Sequence, residues 1–380
     1  MRNKTSFLNG IKEVLGPNEV HFFWKGRVAL YALLKGCGVS NGDEVIIPAF
    51  TCVVVPNAIK YLGAKPVYVD IDKGSLGASL GAIRNSITSK TKVIICQNTF
   101  GLSFQLTEIV ELARSKNVTT IEDCTHGFGG FYQSRPNGAF CDASFFSTQW
   151  NKPFSTGVGG FSVLNTPNKF PFFKEVYESC KRPGLKDNLA LLILHFARKW
   201  LLKDWNYFML INLYRWLSRY NLILGSSKGK ELTSVIMPNH YLLKMGWAQY
   251  ALGNRAINKL QSINIERKEA AHLYSKFLME NGKTSVPDQF FTNHLFLKYP
   301  ILVNDRQGFM IKAEKEKVLL GDWFISPIHP VKNEFEKWDL DISQFPTAAY
   351  ITNHVVNLPT DSQDPKRVIA FLSKNLDDLI

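Results

Sequence analysis

A chain of 380 residues, 45% hydrophobic and 20% charged, is long enough for two domains, and with no repeat of fixed period it is neither a solenoid nor a disordered tail. The net charge of +13 favours anionic partners, but no zinc-finger spacing, RNA-binding aromatic motif or arginine-rich arm is present, so nucleic acid is not expected. Six scattered cysteines without a C-x-x-C pair, and a start "MRNKTSFLNGIKEV" that lacks an apolar signal core, point to a reducing cytoplasm.

From Gly26 the pattern alternates between helix and strand. "VALYALLKGCG" is an amphipathic helix ending in glycine, "NGDEVIIPAF" a turn and short apolar strand, "VVVPNAIKYLG" a second helix, and "AKPVYVDID" a strand. "TKVIICQNTF" reads as a strand, "QLTEIVELARSKN" as a helix with Leu106, Ile109, Val110, Leu112 and Ala113 apolar, and "VTTIED" as a strand ending on acids. Such alternation predicts an α/β fold with a mainly parallel sheet covered on both faces. Ligands then gather beyond the carboxyl ends of the strands, where Asn98, Phe100 and Asp123 stand. Further on come a strand "GGFSVLN", a long helical segment from Lys244 to Gly282, a strand "FLKYPILVND" and a final helix "PKRVIAFLSKNL". We place a large domain over 1–235, with a helical insertion at about 185–230, and a smaller α/β unit over 236–380.

The stretch 189–224, "LALLILHFARKWLLKDWNYFMLINLYRWLSRYNLIL", holds Trp200, Trp205 and Trp216, five basic residues and one acid. No run in it approaches the roughly 18 uninterrupted apolar residues of a spanning helix. Two readings stay open: a helical hairpin packed on its own domain or a partner subunit, and a peripheral contact with membrane or lipid substrate.

Lys152 stands alone as a basic residue between an aromatic strand-like run and a glycine-rich turn, "CDASFFSTQWNKPFSTGVGG". A desolvated amine is a nucleophile toward carbonyls. Pyridoxal 5'-phosphate needs such an amine, a carboxylate for its ring nitrogen, donors for its phosphate and a wall for its ring. Asp123 ends a strand, Ser147 lies five residues before Lys152, and Gly26 and Arg27 open the first helix, where amides and a guanidinium suit a phosphate. Each of these residues alone also suits a structural role. "GVGG" at 157–160 is neither a dinucleotide fingerprint nor a phosphate loop. Cys124 and His126 lack further ligands at metal spacing, so no metal is expected.

Taken in order, "GDEVIIPAFT", "YLGAKPVYVDID", "IEDCTHGFGG", "FFSTQWNKPFSTGVGG" and "FPTAAYITNHVVNLPT" resemble the DegT/DnrJ/StrS type of sugar aminotransferase, over nearly the whole chain. The resemblance implies a fold-type I pyridoxal-phosphate transferase, a homodimer with shared sites, and transfer of an amino group from an amino acid, glutamate, to a keto-sugar. That keto-sugar is an anionic small molecule, linked to a nucleotide or to a lipid phosphate. Lys152 maps onto the lysine that bonds covalently to the cofactor, Asp123 onto the partner of its ring nitrogen, and Ser147 onto a phosphate ligand.

The chain also departs from that pattern. Lys25, Gly26 and Arg27 replace a serine-glycine-threonine, giving the phosphate site a guanidinium in place of a hydroxyl. His126 stands where the family favours glutamine near the cofactor's phenolic oxygen, and histidine ordinarily titrates near neutral pH. Cys52 replaces an aromatic wall and leaves more room over the ring. Leu242 aligns with an asparagine that the neighbouring subunit lends to the phosphate. These departures leave open a non-sugar or lipid-linked ketone, or a non-catalytic membrane-associated relative.

Overall fold

The computed structural model describes residues 2–201, 209, 210, 213, 229–292 and 294–380. The first helix, α1 (Arg2–Leu15), buries Phe7, Ile11 and Leu15, one residue per turn on a single face. After β1 (Glu19–Phe23), α2 (Gly26–Gly36) is buried along nearly its whole length. The βα order then runs β2 (Glu44–Pro48), β3 (Thr51–Cys52), α3 (Val54–Lys60), β4 (Lys65–Val69), α4 (Leu80–Ser86), β5 (Thr91–Gln97), α5 (Leu106–Ser115) and β6 (Thr119–Asp123). A short hairpin, β7 (Phe131–Tyr132) and β8 (Arg135–Pro136), precedes β9 (Ala143–Ser147), β10 (Gly160–Leu164) and α6 (Phe173–Ser179).

Seven strands form the central sheet in the order β1-β10-β9-β6-β5-β2-β4. Strands β9, β6, β5, β2 and β4 run parallel, while β10 and β1 add an antiparallel edge. Alternate residues of one strand face two different cores. Val93 and Ile95 of β5 pack with α2 and α3, whereas Ile94 and Cys96 pack with α4 and α5. Burial on both faces explains why these strands read as continuous apolar runs.

The helix α7 (Leu185–Leu201) buries Leu191 against Trp24, Val158 and Ala248, and leaves Leu189, Ile193, Phe196 and Trp200 exposed. No helix among the described residues is long and apolar enough to cross a membrane. The second half of the expected hairpin lies outside the described residues.

The long helical segment expected from Lys244 is two helices, α8 (Trp247–Ile257) and α9 (Leu260–Glu280). They part at Asn258, and only the later turns of α9 leave the core that α8 serves. Ile257 and Leu260 pack with Phe7 of α1, while Ala270, Tyr274 and Leu278 enter a second core. That core also takes in β11 (Tyr299–Leu302), α10 (Arg306–Lys315) and, beyond β12 (Ile328–His329) and α11 (Pro346–His354), β13 (Val355–Leu358) and α12 (Pro365–Lys374). Strand β13 pairs antiparallel with β11. Strand β12 returns to the first half and pairs parallel with β3, setting His329 beside Cys52.

Candidate active site

The parallel strands β5, β6 and β9 end on one edge of the sheet at Gln97, Asp123 and Ser147, and a cavity of about 910 Å³ opens there. It is lined by Gly26, Arg27, Cys52, Asp123, His126, Ser147 and Lys152, whereas Asn98, Phe100 and Leu242 do not line it. This is the crevice that a parallel sheet leaves beyond the carboxyl ends of its strands.

Lys152 sits in the turn after β9, with its backbone N–H donating to the carbonyl of Gln149 at 3.1 Å. Burial lowers its amine from the ordinary lysine value to about 8, with Cys52 and Asp123 opposing and Arg27 adding to the effect. Asp123 is 4% exposed, and its Oδ1 accepts from the Thr125 N–H at 2.9 Å. Burial raises its carboxyl above the usual range, while Thr125 and Lys152 pull it back.

The start of α2 meets β9 edge to edge. A Cβ on Gly26 would lie 2.9 Å from the Phe146 carbonyl and 3.0 Å from the Ser147 Cβ, so only glycine allows this approach. Lys25, the residue before the helix, places no side chain on the first amides. The Ser147 hydroxyl engages no group among the described residues. Helix amides and a free hydroxyl thus face the same corner, an arrangement suited to a phosphate.

The guanidinium of Arg27 is not directed at that corner alone. Its Nη1 lies 2.5 Å from Oε1 of Glu231, and both side chains are almost wholly buried. The expectation of an arginine held ready for phosphate is corrected accordingly. In this structure the carboxylate of Glu231, 204 residues away in sequence, already balances the charge.

His126 is also different from its expectation. The Phe100 N–H donates to its Nδ1 at 3.2 Å, which fixes the proton of the neutral ring on Nε2. Burial first, then the charges of Lys152, Lys298 and His329, hold its pKa well below the ordinary value. The ring is therefore neutral at pH 7 and does not titrate there. It stacks on Trp323 at 4.8 Å between centroids and 3° between planes.

Trp323 was not legible as a site residue. Its ring lies 4.6 Å from the Lys152 Nζ. An indole from the segment before β12 thus joins Cys52 in lining the cavity, while the β3 and β12 pairing brings His329 beside Cys52. Gln97 was missed too. Its amide donates to the Phe50 carbonyl at 2.9 Å and to Thr99 Oγ1 at 2.8 Å, and its Oε1 accepts from Thr51 at 2.6 Å, bracing β3. Leu242 does not line this cavity; its carbonyl accepts from the Lys181 N–H at 3.1 Å.

The residues present fit pyridoxal phosphate. A lysine amine of lowered pKa, a buried carboxylate at the end of β6, and a helix start that a single Cβ would close offer an amine, a pyridinium partner and a phosphate corner.

Known proteins support the same assignment. The sequence pattern of the DegT/DnrJ/EryC1/StrS aminotransferase family matches residues 2–180 and 225–370. The GDP-perosamine synthase of Escherichia coli O157:H7 is 43% identical over 155 residues, a stretch that spans 41% of each chain. The spore coat polysaccharide biosynthesis protein SpsC of Bacillus subtilis is 25% identical over 348 residues, 87% of this chain and 77% of its own. Among solved structures, the aminotransferase TlmJ from Streptoalloteichus hindustanus superposes with a TM-score of 0.75 over 99% of this chain and 91% of its own, at 18% identity, a likeness of fold. The chain belongs to the DegT/DnrJ/EryC1/StrS aminotransferase family, whose cofactor is pyridoxal 5'-phosphate.

Proposed function

We propose that this protein is an aminotransferase that moves an amino group from an amino acid, glutamate, to a keto-sugar carried on a nucleotide, in the making of cell-surface polysaccharide or natural-product sugars. One observation carries the reading: a lysine amine lowered to about 8 shares a cavity with a buried aspartate and an open helix start. The matched family and the perosamine synthase support the sugar as acceptor.

When bound, pyridoxal phosphate supplies an aldehyde for covalent attachment and an electron-withdrawing ring. Lys152 would provide the amine for that attachment, and the same amine, when free, would move a proton at the donor's α-carbon. At pH 7 a group of pKa about 8 is neutral in about one molecule in ten, which serves both tasks. Asp123 would hold a proton on the ring nitrogen, Ser147 Oγ and the first amides of α2 would hold the phosphate, and the Nε2–H of neutral His126 would serve as a hydrogen-bond donor in the same cavity, which Trp323 and Cys52 also line.

We place the protein in the cytoplasm as a homodimer, supported by its six free cysteines and by the family resemblance. A second reading, a lipid-linked keto-sugar met at a membrane surface, is favoured by the exposed apolar side chains of α7. The test is spectroscopic. Wild-type protein with pyridoxal phosphate gains a visible band that shifts on adding glutamate, and Lys152→Ala shows no band. A wild type that stays colourless with excess cofactor sinks the enzyme reading.

A further inference from the structure

The family pattern stops at residue 180 and resumes at 225, so α7 lies outside it. Yet α7 reaches the cavity. Leu191, fully buried, seats the helix beside the glycine turn that follows Lys152. A Cβ on Gly157 would lie 2.6 Å from Leu191 Cδ1 and 3.0 Å from the Trp150 ring, so the turn and the helix are fitted to each other. Seven residues past Leu191, two turns along the same face, comes Arg198. Its guanidinium lies 5.3 Å from the centre of the Trp150 ring, and its Nη2 donates to Asn151 Oδ1 at 3.3 Å. Trp150 and Asn151 immediately precede Lys152, and all four residues line the cavity. Beside it His195 stacks on Trp150, and burial first, then the charges of Lys199, Arg255 and Arg198, lower its pKa.

We infer that Arg198 recognises the diphosphate of the sugar substrate, so that an element outside the family pattern takes part in holding the activated sugar. A guanidinium offers paired donors matched to phosphate oxygens, and an aromatic face beneath it holds the fork in one plane. Resting on Asn151, it marks the rim one residue from the reacting amine. A keto-sugar over Lys152 therefore directs its phosphate handle along α7. The handle is the diphosphate of either a nucleotide or a polyprenyl lipid. This inference rests on the aminotransferase reading above.

The test is isothermal titration of the cofactor-loaded enzyme with UDP, GDP and dTDP, and separately with farnesyl diphosphate, for wild type, Arg198→Gln and Arg198→Lys. Losing a charge-assisted contact to phosphate weakens binding by about ten- to a hundredfold. Arg198→Lys, which keeps the charge without the fork, recovers part of the loss. Lys186→Gln, at the exposed far end of α7, leaves affinity unchanged. A loss confined to nucleoside diphosphates supports the diphosphate site with a nucleotide handle, and one confined to farnesyl diphosphate supports it with a lipid handle. Equal affinity of wild type and Arg198→Gln for every probe overturns the inference. The visible band of attached cofactor in each variant reports an intact fold, and the glutamate-driven shift in wild type reports separately on the aminotransferase reading.

Discussion

Replacing Asp123 by asparagine should make Lys152 a stronger nucleophile at neutral pH while weakening the cofactor's hold on its ring proton. The aspartate raises the Lys152 pKa, against a larger lowering by burial, and the sum stands at about 8. At that value the amine is neutral in about 10% of molecules at pH 7 and about 90% at pH 9, whereas an ordinary lysine near 10.4 is neutral in about 0.04% at pH 7. The structure thus yields about 200 times more free amine than a surface lysine. Asparagine keeps the shape of the aspartate and removes its charge, so the midpoint for Lys152 moves down. The assay is competitive labelling of the cofactor-free protein with acetic anhydride from pH 6 to 10, read by mass spectrometry on the peptide carrying Lys152. A wild-type midpoint in the ordinary lysine range, or an upward move in Asp123→Asn, refutes the reasoning.

Two more expectations concern the corner beside Arg27. In Glu231→Ala a buried guanidinium loses its counter-charge, a change that costs about 3–5 kcal/mol. With an unfolding entropy of about 2.1 cal/mol/K per residue, or about 0.8 kcal/mol/K here, the melting temperature falls by about 4–6 °C; scanning fluorimetry that finds a drop below about 1 °C counts against a buried pair of this kind. In Gly26→Ala the new methyl presses on Phe146 and Ser147, costing about 1–3 kcal/mol in denaturant titration. It also lowers the affinity for pyridoxal phosphate more than for pyridoxal, and an unchanged ratio of the two affinities shows that the phosphate lies elsewhere.

Much of this architecture is written locally. Helices α2, α3 and α5 and strands β2, β4, β5, β6 and β10 follow from apolar periodicity and from glycine punctuation, because each is decided by residues within a few positions of one another. Asp123, Ser147 and Lys152 are legible for the same reason, since a parallel sheet gathers the ends of its strands. Glu231 and Trp323 are not. Their places depend on how distant segments return to the sheet, and neither "GKEL" nor "GDWF" announces a destination. The tautomer of His126 was equally hidden, being set by a backbone amide of Phe100 rather than by its own neighbours. The break at Asn258 is hidden because apolar spacing continues through it, with Ile257 and Leu260 in one core on either side.

The pairing of β3 with β12 joins Cys52 to a residue 277 positions later in the chain. The core beneath the cavity likewise takes in Phe324, Ile328, Trp338, Leu340 and Ile351 from late in the chain. Domains fold as units, so the sheet that carries Lys152 and the anion corner reaches its packed form only once the last quarter of the message has been translated, and the pocket is assembled together with its cover.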